Sequence, residues 1–319
     1  MTLTLLILKT CWIKVMLNKA LLTNTLLHKD LLPNCLLRKA LLGLLIIVAS
    51  GCVSHNGVKS ASDKTNTNEL TNLLSKPVMN EDFDHGASTV IATILLKDKN
   101  LALVSGEGVN GSTGLRAQYQ GFHRGSERIT ARIPLGESGD EYSLNYDVRF
   151  ESGFQFVKSG KLHGLGPAKP ITGGKAMQPA GWSARATFKE KGNLTTYVYH
   201  QDKPREYGAH GKVVAPFSFS HQRFYAVSLH VKINSHAETA DGFVHLYVDG
   251  VLIERLDNIR LHADKENAAI SQMLFSTFHG GSSPKYAPRD ENGNYTSVYA
   301  TFDNFSVYRN KRIRLAPGK

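Results

Sequence analysis

The chain has 319 residues, with 38 lysine and arginine residues against 27 aspartate and glutamate residues, a formal net charge of +11. Six basic residues and one acidic residue lie within residues 1–51, which leaves a net charge of +6 for the rest of the chain. The three cysteines are Cys11, Cys35 and Cys52, so the composition excludes a disulfide scaffold, a thiol-ligated zinc site and a cysteine nucleophile beyond position 52.

Residues 1–51 have the character of an export signal. The segment RKALLGLLIIVASGC, which ends at Cys52, joins two basic residues, an apolar stretch too short to span a membrane, and small residues before the cysteine. This pattern resembles a bacterial lipoprotein signal; an ordinary secretory signal or an uncleaved anchor is the alternative. The part upstream is a low-complexity, leucine-rich repeat. We therefore expect an exported lipoprotein of the outer membrane, on its periplasmic or cell-surface face, with the lipid attached to Cys52.

Residues 52–80 predict a flexible tether, because they are rich in serine, asparagine, threonine and lysine and contain few aromatic residues. Residues 81–319 are then expected to form one folded domain. A tether of this composition would connect the lipid to that domain.

The rest of the chain predicts an all-β domain from about Phe83 onward. Apolar and polar residues alternate over 143–150 and 224–233, and Asp-Gly at 249–250 separates two apolar runs, which is a strong hairpin signal. Residues 262–273 predict one short helix or turn. We expect a single β-jelly-roll sandwich of two antiparallel sheets, with a concave substrate cleft on the outer face of one sheet.

A candidate site lies on an exposed patch of two neighbouring strands, which a turn at 190–193 is predicted to join as a hairpin. In WSARATFK, Ser183 and Arg185 point to the face opposite the apolar residues, and Tyr197 and Tyr199 alternate in the next strand. Lys161 precedes this pair of strands in a glycine-rich segment. Cleavage of a uronate polymer by β-elimination needs a cation to neutralise the carboxylate, a base for the C5 proton and an acid for the leaving oxygen. Arginine, lysine and tyrosine can supply these functions.

Six segments together resemble polysaccharide lyase family 14, the alginate and glucuronan lyases on a β-jelly-roll. Their order and spacing are similar to those of the family over roughly residues 140–310. In chain order they are FVKSGKLHGL at 156–165, TGG at 172–174, WSARATF at 182–188, YVY at 197–199, FHGGSSPKYAP at 278–288 and FDNFSV at 302–307.

The resemblance implies that five residues belong to the catalytic cleft. Arg185 and Lys161 would hold and neutralise the uronate carboxylate. Tyr197 or Tyr199 would act as acid and base, with Lys161 as an alternative base, and Ser183 would orient its neighbours. The expected substrate is alginate or glucuronan, and the expected partner is therefore an anionic polysaccharide.

Three further residues are predicted to bind substrate, namely Lys158, His163 and His200. The chain also departs from the family pattern, because His163 stands where a proline is expected, Ser159 replaces a glycine, and Thr187-Phe188 replace Met-Trp. These departures leave the expected catalytic residues in place and bear on which uronate polymer is the substrate.

Other functions fit the sequence less well. A non-catalytic carbohydrate-binding module on the same sandwich is the main alternative, and it would need neither Lys161 nor both tyrosines. A jelly-roll glycoside hydrolase needs closely spaced carboxylates on one strand, and it is rejected because no E-x-D-x-E-like segment appears. The spacing of Asp249, Asp257 and Asp303 matches no calcium loop, so we expect no metal and no cofactor. Nucleic-acid binding motifs are absent, and we expect a monomer.

Overall fold

The computed structural model describes residues 76–317. They form fifteen β-strands and one α-helix, α1 (Val90–Leu95), with short 3-10 turns at Gly86–Ser88, Val109–Gly111, Glu190–Gly192 and Pro284–Tyr286. The predicted export signal, Cys52 and the tether up to residue 75 lie outside the described residues. Between residues 76 and 317, no helix is long and apolar enough to span a membrane.

The first sheet holds ten strands, and every pair in it is antiparallel. They are β1 (Met79–Glu81), β2 (Leu101–Val104), β3 (Gly114–Phe122), β4 (Gly125–Ser126), β6 (Glu141–Phe150), β10 (Lys212–Val213), β11 (Phe224–Lys232), β12 (Gly242–Val248), β13 (Val251–Ile259) and β15 (Ser297–Arg309). Their order is β10-β13-β12-β11-β6-β15-β3-β2, while β1 pairs with β15 and β4 pairs with β3. Since β1 pairs Met79 with Val307, the fold begins just inside the segment predicted to be tether.

The second sheet holds five antiparallel strands and carries the candidate site. They are β5 (Ile129–Gly139), β7 (Ser159–Gly166), β8 (Ser183–Lys189), β9 (Leu194–Tyr199) and β14 (Ile270–His279). Their order is β5-β14-β7-β8-β9, so the strands with the predicted catalytic residues, β7, β8 and β9, are neighbours.

The two sheets pack face to face around an aromatic core. Tyr146 of β6 stacks on Phe305 of β15 with ring centroids 5.6 Å apart, and Phe275 of β14 lies 5.9 Å from Phe305. Leu144, Tyr146 and Val148 of β6 belong to this core, as the period of two predicts, while the polar residues between them are buried as well. This two-layer architecture confirms the predicted β-jelly-roll sandwich.

A buried carboxylate joins the two sheets at one edge. Glu254 of β13, in the first sheet, accepts hydrogen bonds from the backbone N–H groups of Thr196 and Gly211, each at 2.8 Å. Its other oxygen accepts from the hydroxyl of Thr195 at 2.5 Å. Because Thr195 and Thr196 both belong to β9, these hydrogen bonds attach the edge strand that carries the two tyrosines to the first sheet.

The local predictions agree with the structure at most positions. The Asp-Gly turn is present, with positive φ at both Asp249 (51°) and Gly250 (86°), as a type I′ turn requires. Of the short helix or turn predicted over 262–273, the turn is present, since residues 262–269 form bends and turns, whereas no helix forms and β14 begins at Ile270. Helix α1 was not predicted, because its six residues are too few to give a periodic pattern.

A β-bulge in β7 decides which of its residues face the site. Lys161 and Gly164 pair with residues only two apart on β8, so Leu162 and His163 together oppose Ala186. Leu162 and His163 are both fully buried. A bulge of this kind resets the alternation of a strand, and it leaves Lys161 and Gly164 on the same outer face.

Candidate active site

The outer face of the second sheet brings four of the predicted residues together. Ser183 pairs with Tyr199, and Arg185 pairs with Tyr197, across β8 and β9. The strands are joined by the tight turn at Glu190–Gly192, where the sequence predicted a hairpin. Since alternate residues of a strand share a face, the four side chains lie on the side away from the aromatic core.

This face is covered where the sequence predicted an exposed patch. Ser183 and Tyr199 are both 0% exposed. The hydroxyl of Ser183 donates to the backbone oxygen of Ile171 at 2.7 Å, and the phenol oxygen of Tyr199 accepts from the N–H of Gly174 at 2.8 Å. The segment between β7 and β8 therefore lies over these two residues, and their hydroxyl groups hold it in place.

Arg185 reaches across β7 through a gap left by a glycine. A β-carbon on Gly164 would lie 2.5 Å from Cγ of Arg185, so only glycine leaves room for this side chain. One terminal nitrogen of Arg185 lies 3.4 Å from the hydroxyl of Ser276 on β14, while Nε has no hydrogen-bond partner among residues 76–317. The side chain is 7% exposed. Burial lowers its pKa, although a guanidinium stays charged in proteins.

Lys161 lies beside Arg185 and against an aromatic ring. Its Nζ is 3.6 Å from the ring centroid of Tyr197 and 3.4 Å from the hydroxyl of Thr187. Burial lowers the pKa of Lys161 well below its usual value, and the charges of Arg185, Lys189 and Arg128 lower it further. No carboxylate contributes to this shift, so the amine is surrounded by other cations.

Tyr197 stands between the two basic residues and is partly exposed. Its ring is 5.8 Å from that of Tyr199 and 5.7 Å from the guanidinium carbon of Arg185. Burial raises the pKa of Tyr197, and the neighbouring Tyr199 raises it further. The phenol is therefore held in its protonated form, next to an amine, Lys161, whose proton is destabilised.

The prediction that His163 binds substrate is wrong. The residue is 0% exposed, and its ring packs 4.3 Å from that of Phe275 and 4.7 Å from that of Tyr146 in the core. Its Nδ1 accepts from the N–H of Ser276 at 3.2 Å. The bulge explains the error, because it turns His163 to the face opposite Lys161.

The two other predicted substrate contacts differ in their surroundings. His200 follows β9 and is only 5% exposed, and alternation places it on the opposite face from Tyr197 and Tyr199. The structure therefore does not bring it to the site. Lys158 is exposed but forms an ion pair with Glu190 at 2.7 Å, and its role in binding stays a prediction.

Three residues of the site were not predicted. Lys189 shares the outer face of β8, and alternation in WSARATFK would have identified it. Arg128 donates to the backbone oxygens of His279 at 2.6 Å and Gly281 at 2.8 Å, which holds the loop next to Lys161. His210 comes from the segment after β9, and no sequence pattern indicated that it lies here.

The arrangement suits proton transfer beside a bound anion. Arg185 offers a fixed positive charge, Lys161 offers an amine that gives up its proton easily, and Tyr197 offers a phenol that keeps its own. In residues 76–317, no group of three or more histidine, cysteine, aspartate or glutamate side chains is arranged to hold a metal ion.

Comparison with known families gives one match. A sequence model of the family described as polysaccharide lyase 14 matches residues 111–302, which is more than half of the chain and includes the five predicted catalytic residues. No curated protein matches the chain.

Solved structures of similar fold include three named lyases. The alginate lyase Aly36B is 21% identical over 75% of this chain and 100% of its own, with a TM-score of 0.58. The alginate lyase of Aplysia kurodai is 23% identical over 74% and 100%, with a TM-score of 0.57. The endo-β-1,4-glucuronan lyase of the fungus Trichoderma reesei is 14% identical over 76% and 100%, with a TM-score of 0.51. At these identities, the likeness supports a common fold.

Proposed function

Because the chain belongs to polysaccharide lyase family 14, we propose that it cleaves a uronate polymer, alginate or glucuronan, by β-elimination. The observation that carries the proposal is the cluster of Lys161, Arg185 and Tyr197. This cluster has basic and phenolic groups but no carboxylate. An uncompensated positive site of this kind suits an anionic substrate. Similar structures named as alginate and glucuronan lyases favour these two polymers.

The first task of the site is to neutralise the substrate carboxylate. The C5 proton of a uronate becomes acidic only when the negative charge of the neighbouring carboxylate is offset. Arg185 is suited to this task, because its charge is permanent and the side chain is held in one position over Gly164. A carboxylate beside it would also supply the counter-charge that Arg185 lacks.

The second task is a pair of proton transfers. A base removes the C5 proton, the electron pair forms the C4=C5 double bond, the C4–O bond breaks, and an acid protonates the leaving glycosidic oxygen. Lys161 suits the base, because its lowered pKa raises the share of neutral amine. Tyr197 suits the acid, because its raised pKa keeps the proton until an alkoxide develops.

Ser183 and Tyr199 would act by positioning. Their hydroxyl groups are engaged with Ile171 and Gly174, which secures the segment over the site. We therefore assign them to the shape of the cleft, and the acid and base to the two partly exposed side chains, Lys161 and Tyr197.

We also propose that the protein is lipid-anchored at Cys52 in the outer membrane. The support is the signal-like sequence that ends at this cysteine. Cells that express the full chain should incorporate labelled fatty acid into it, and a Cys52→Ser variant should not. Equal labelling of both proteins would contradict the anchor.

The lyase activity is tested with purified protein and a panel of polymers. Alginate, glucuronan, ulvan and glycosaminoglycans are each incubated with the protein while absorbance of the unsaturated uronate is followed. We expect a rise with at least one uronate polymer and a loss of about 100-fold or more in rate for Tyr197→Phe. No rise with any polymer, from protein with a cooperative unfolding transition, would contradict the lyase and favour a carbohydrate-binding module.

A further inference from the structure

Lys189 and His210 form a contact next to the proposed reacting groups. Nζ of Lys189 lies 3.3 Å from Nε2 of His210, and Nδ1 of His210 lies 2.6 Å from the backbone oxygen of Thr196. The ring of His210 is also 5.8 Å from that of Tyr197. The contact thus borders the proposed site on the side of β9.

The hydrogen bonds of His210 set its role. A backbone oxygen can only accept, so Nδ1 of His210 carries the proton and donates to Thr196. Nε2 is then left with a lone pair, which accepts a hydrogen bond from the ammonium of Lys189. The neutral ring of His210 therefore orients the ammonium of Lys189 and leaves its positive charge uncompensated.

Lys189 occupies the next position along the same face as the proposed reacting groups. Thr187 of β8 pairs with Lys161, and Lys189 pairs with Ser159. Two residues of a strand span about 6.7 Å, so Lys189 lies about this far along β8 from the position that Lys161 faces. Arg185 lies the same distance on the other side of Thr187. Lys161, on the neighbouring strand, faces Thr187, so Arg185, Lys161 and Lys189 form a row of cations along one face of the second sheet, to which an anionic polymer can bind.

The ammonium of Lys189 lacks a carboxylate partner within the described part of the chain. The charge of Glu254 acts on this ammonium, but the oxygens of Glu254 are engaged by Thr195, Thr196 and Gly211. Burial lowers the pKa of Lys189 more than the charge of Glu254 raises it, which reflects the cost of holding a charge partly out of water. A carboxylate ligand would relieve that cost.

We propose that Lys189, oriented by His210, binds the carboxylate of the uronate unit adjacent to the one that is cleaved. This inference rests on the proposed lyase function. It adds a subsite that would favour consecutive uronates, as in alginate and glucuronan, over polymers in which uronates alternate with neutral or amino sugars.

The subsite is tested through the kinetics of Lys189→Met on the polymer that the wild type cleaves best. On the alkaline plateau of the pH profile, where loss of the Lys189 charge no longer changes the protonation of Lys161, KM should rise about tenfold while kcat stays near the wild-type value. The reason is that binding of a distant carboxylate stabilises ground state and transition state equally. Lys189→Arg should recover most of the affinity. Lys265→Met, which removes an exposed lysine paired with Asp140, serves as the matched control and should leave KM unchanged.

The positioning role of His210 is tested with His210→Phe alone and combined with Lys189→Met. The single variant should raise KM by a smaller factor, and the double variant should be no worse than Lys189→Met, because His210 acts through the lysine. An additive double variant would overturn the role of His210. An unchanged KM in Lys189→Met, or a fall in kcat alone, would overturn the subsite.

Failure of the lyase function is distinguishable from failure of the subsite. If the wild type cleaves no polymer, its affinity for an alginate oligosaccharide is measured by calorimetry and compared with that of Lys189→Met. Weaker binding of the oligosaccharide by Lys189→Met than by the wild type would support the subsite although the lyase proposal has failed. Equal affinities, or no binding by either protein, would overturn the subsite as well.

Discussion

Arg185 carries a charge that its surroundings do little to compensate. It is 7% exposed, its Nε has no hydrogen-bond partner, and its contact with Ser276 is long, at 3.4 Å. Removing a charged group from water costs several kcal/mol unless a counter-ion and hydrogen bonds restore the loss. The fold thus holds a residue that makes it less stable, which is common where a ligand later supplies the missing partner.

Replacement of Arg185 by methionine should separate activity from stability. Cleavage should fall by at least about 100-fold, because Arg185 is the group proposed to neutralise the substrate carboxylate. The free energy of unfolding should stay equal or rise, because methionine fills the space over Gly164 without a buried charge. Rates on the preferred polymer and urea unfolding measure the two effects, and a loss of more than about 1 kcal/mol would contradict the argument.

A matched control is Arg116→Met. Arg116 holds Glu151 through two hydrogen bonds of 2.7 and 3.0 Å on the outer face of the first sheet, away from the site. Here the charge is paired, so the variant should lose stability and keep wild-type activity. The opposite behaviour of the two arginines is the outcome that distinguishes an uncompensated site charge from a structural ion pair.

For single residues, the alternation of side chains along a strand was enough to predict which residues share a face of the site, but not how deeply they are buried. The pattern in WSARATFK indicates that Ser183 and Arg185 share a face, and the structure agrees. Their burial depends on the segment around Ile171 and Gly174, which has no periodicity from which a path could be predicted. The residues thus predicted as an exposed patch are largely covered.

The β7 bulge controls the site at the scale of an element. It keeps Lys161 on the outer face, sends His163 into the core, and sets Gly164 under the side chain of Arg185. A bulge is an insertion in the register and not a change in residue type, so an apolar pattern gives no sign of it. The Asp249-Gly250 turn, in contrast, was predictable because its backbone conformation selects its residues.

Gly164→Ala adds only one methyl group, but it should disturb β7 strongly. The added β-carbon would lie 1.9 Å from the backbone oxygen of Ala184 and 2.5 Å from Cγ of Arg185, so either β7 must move or Arg185 must leave its position. We expect a loss of about 2–3 kcal/mol in the free energy of unfolding and a loss of activity. Urea unfolding and polymer cleavage measure the two.

The control for this substitution is Gly136→Ala in β5. A β-carbon there would meet only the backbone oxygen of Val78, at 4.0 Å, so the same added methyl group should change stability by less than about 0.5 kcal/mol. Equal effects at Gly136 and Gly164 would show that crowding at Arg185 is not the cause.

At the scale of the whole molecule, the interior between the sheets contains ionisable groups that must stay neutral. His279 is fully buried, and its ring lies 5.3 Å from that of Tyr119 and 5.2 Å from that of Phe154. Burial lowers its pKa to about 4. Burial also lowers the pKa of His163, well below the usual value. These histidines link the packing of the two sheets to pH.

The sign of this linkage follows from proton binding. Below pH 6.5 the unfolded chain protonates its histidines, while the folded protein leaves His279 neutral until about pH 4. The unfolded state therefore binds more protons, and the fold loses stability as pH falls through this window, by up to about 1.4 kcal/mol per pH unit for each such histidine. Asp147 acts in the opposite direction, because burial raises its pKa to about 6.

His279→Phe should therefore flatten the acid side of the stability profile. The variant keeps a ring in the aromatic core but loses the hydrogen bond of His279 to the backbone oxygen of Gln155, so at pH 7 it should be about 1 kcal/mol less stable. At pH 5 it should have gained about 2 kcal/mol relative to the wild type, because it has no buried histidine to protonate there. The difference between the two proteins cancels the effect of Asp147. Urea unfolding between pH 7 and pH 4.5 measures this difference in the free energy of unfolding. The control is His221→Phe, at an exposed position. Parallel stability profiles for the wild type and both variants would contradict the linkage.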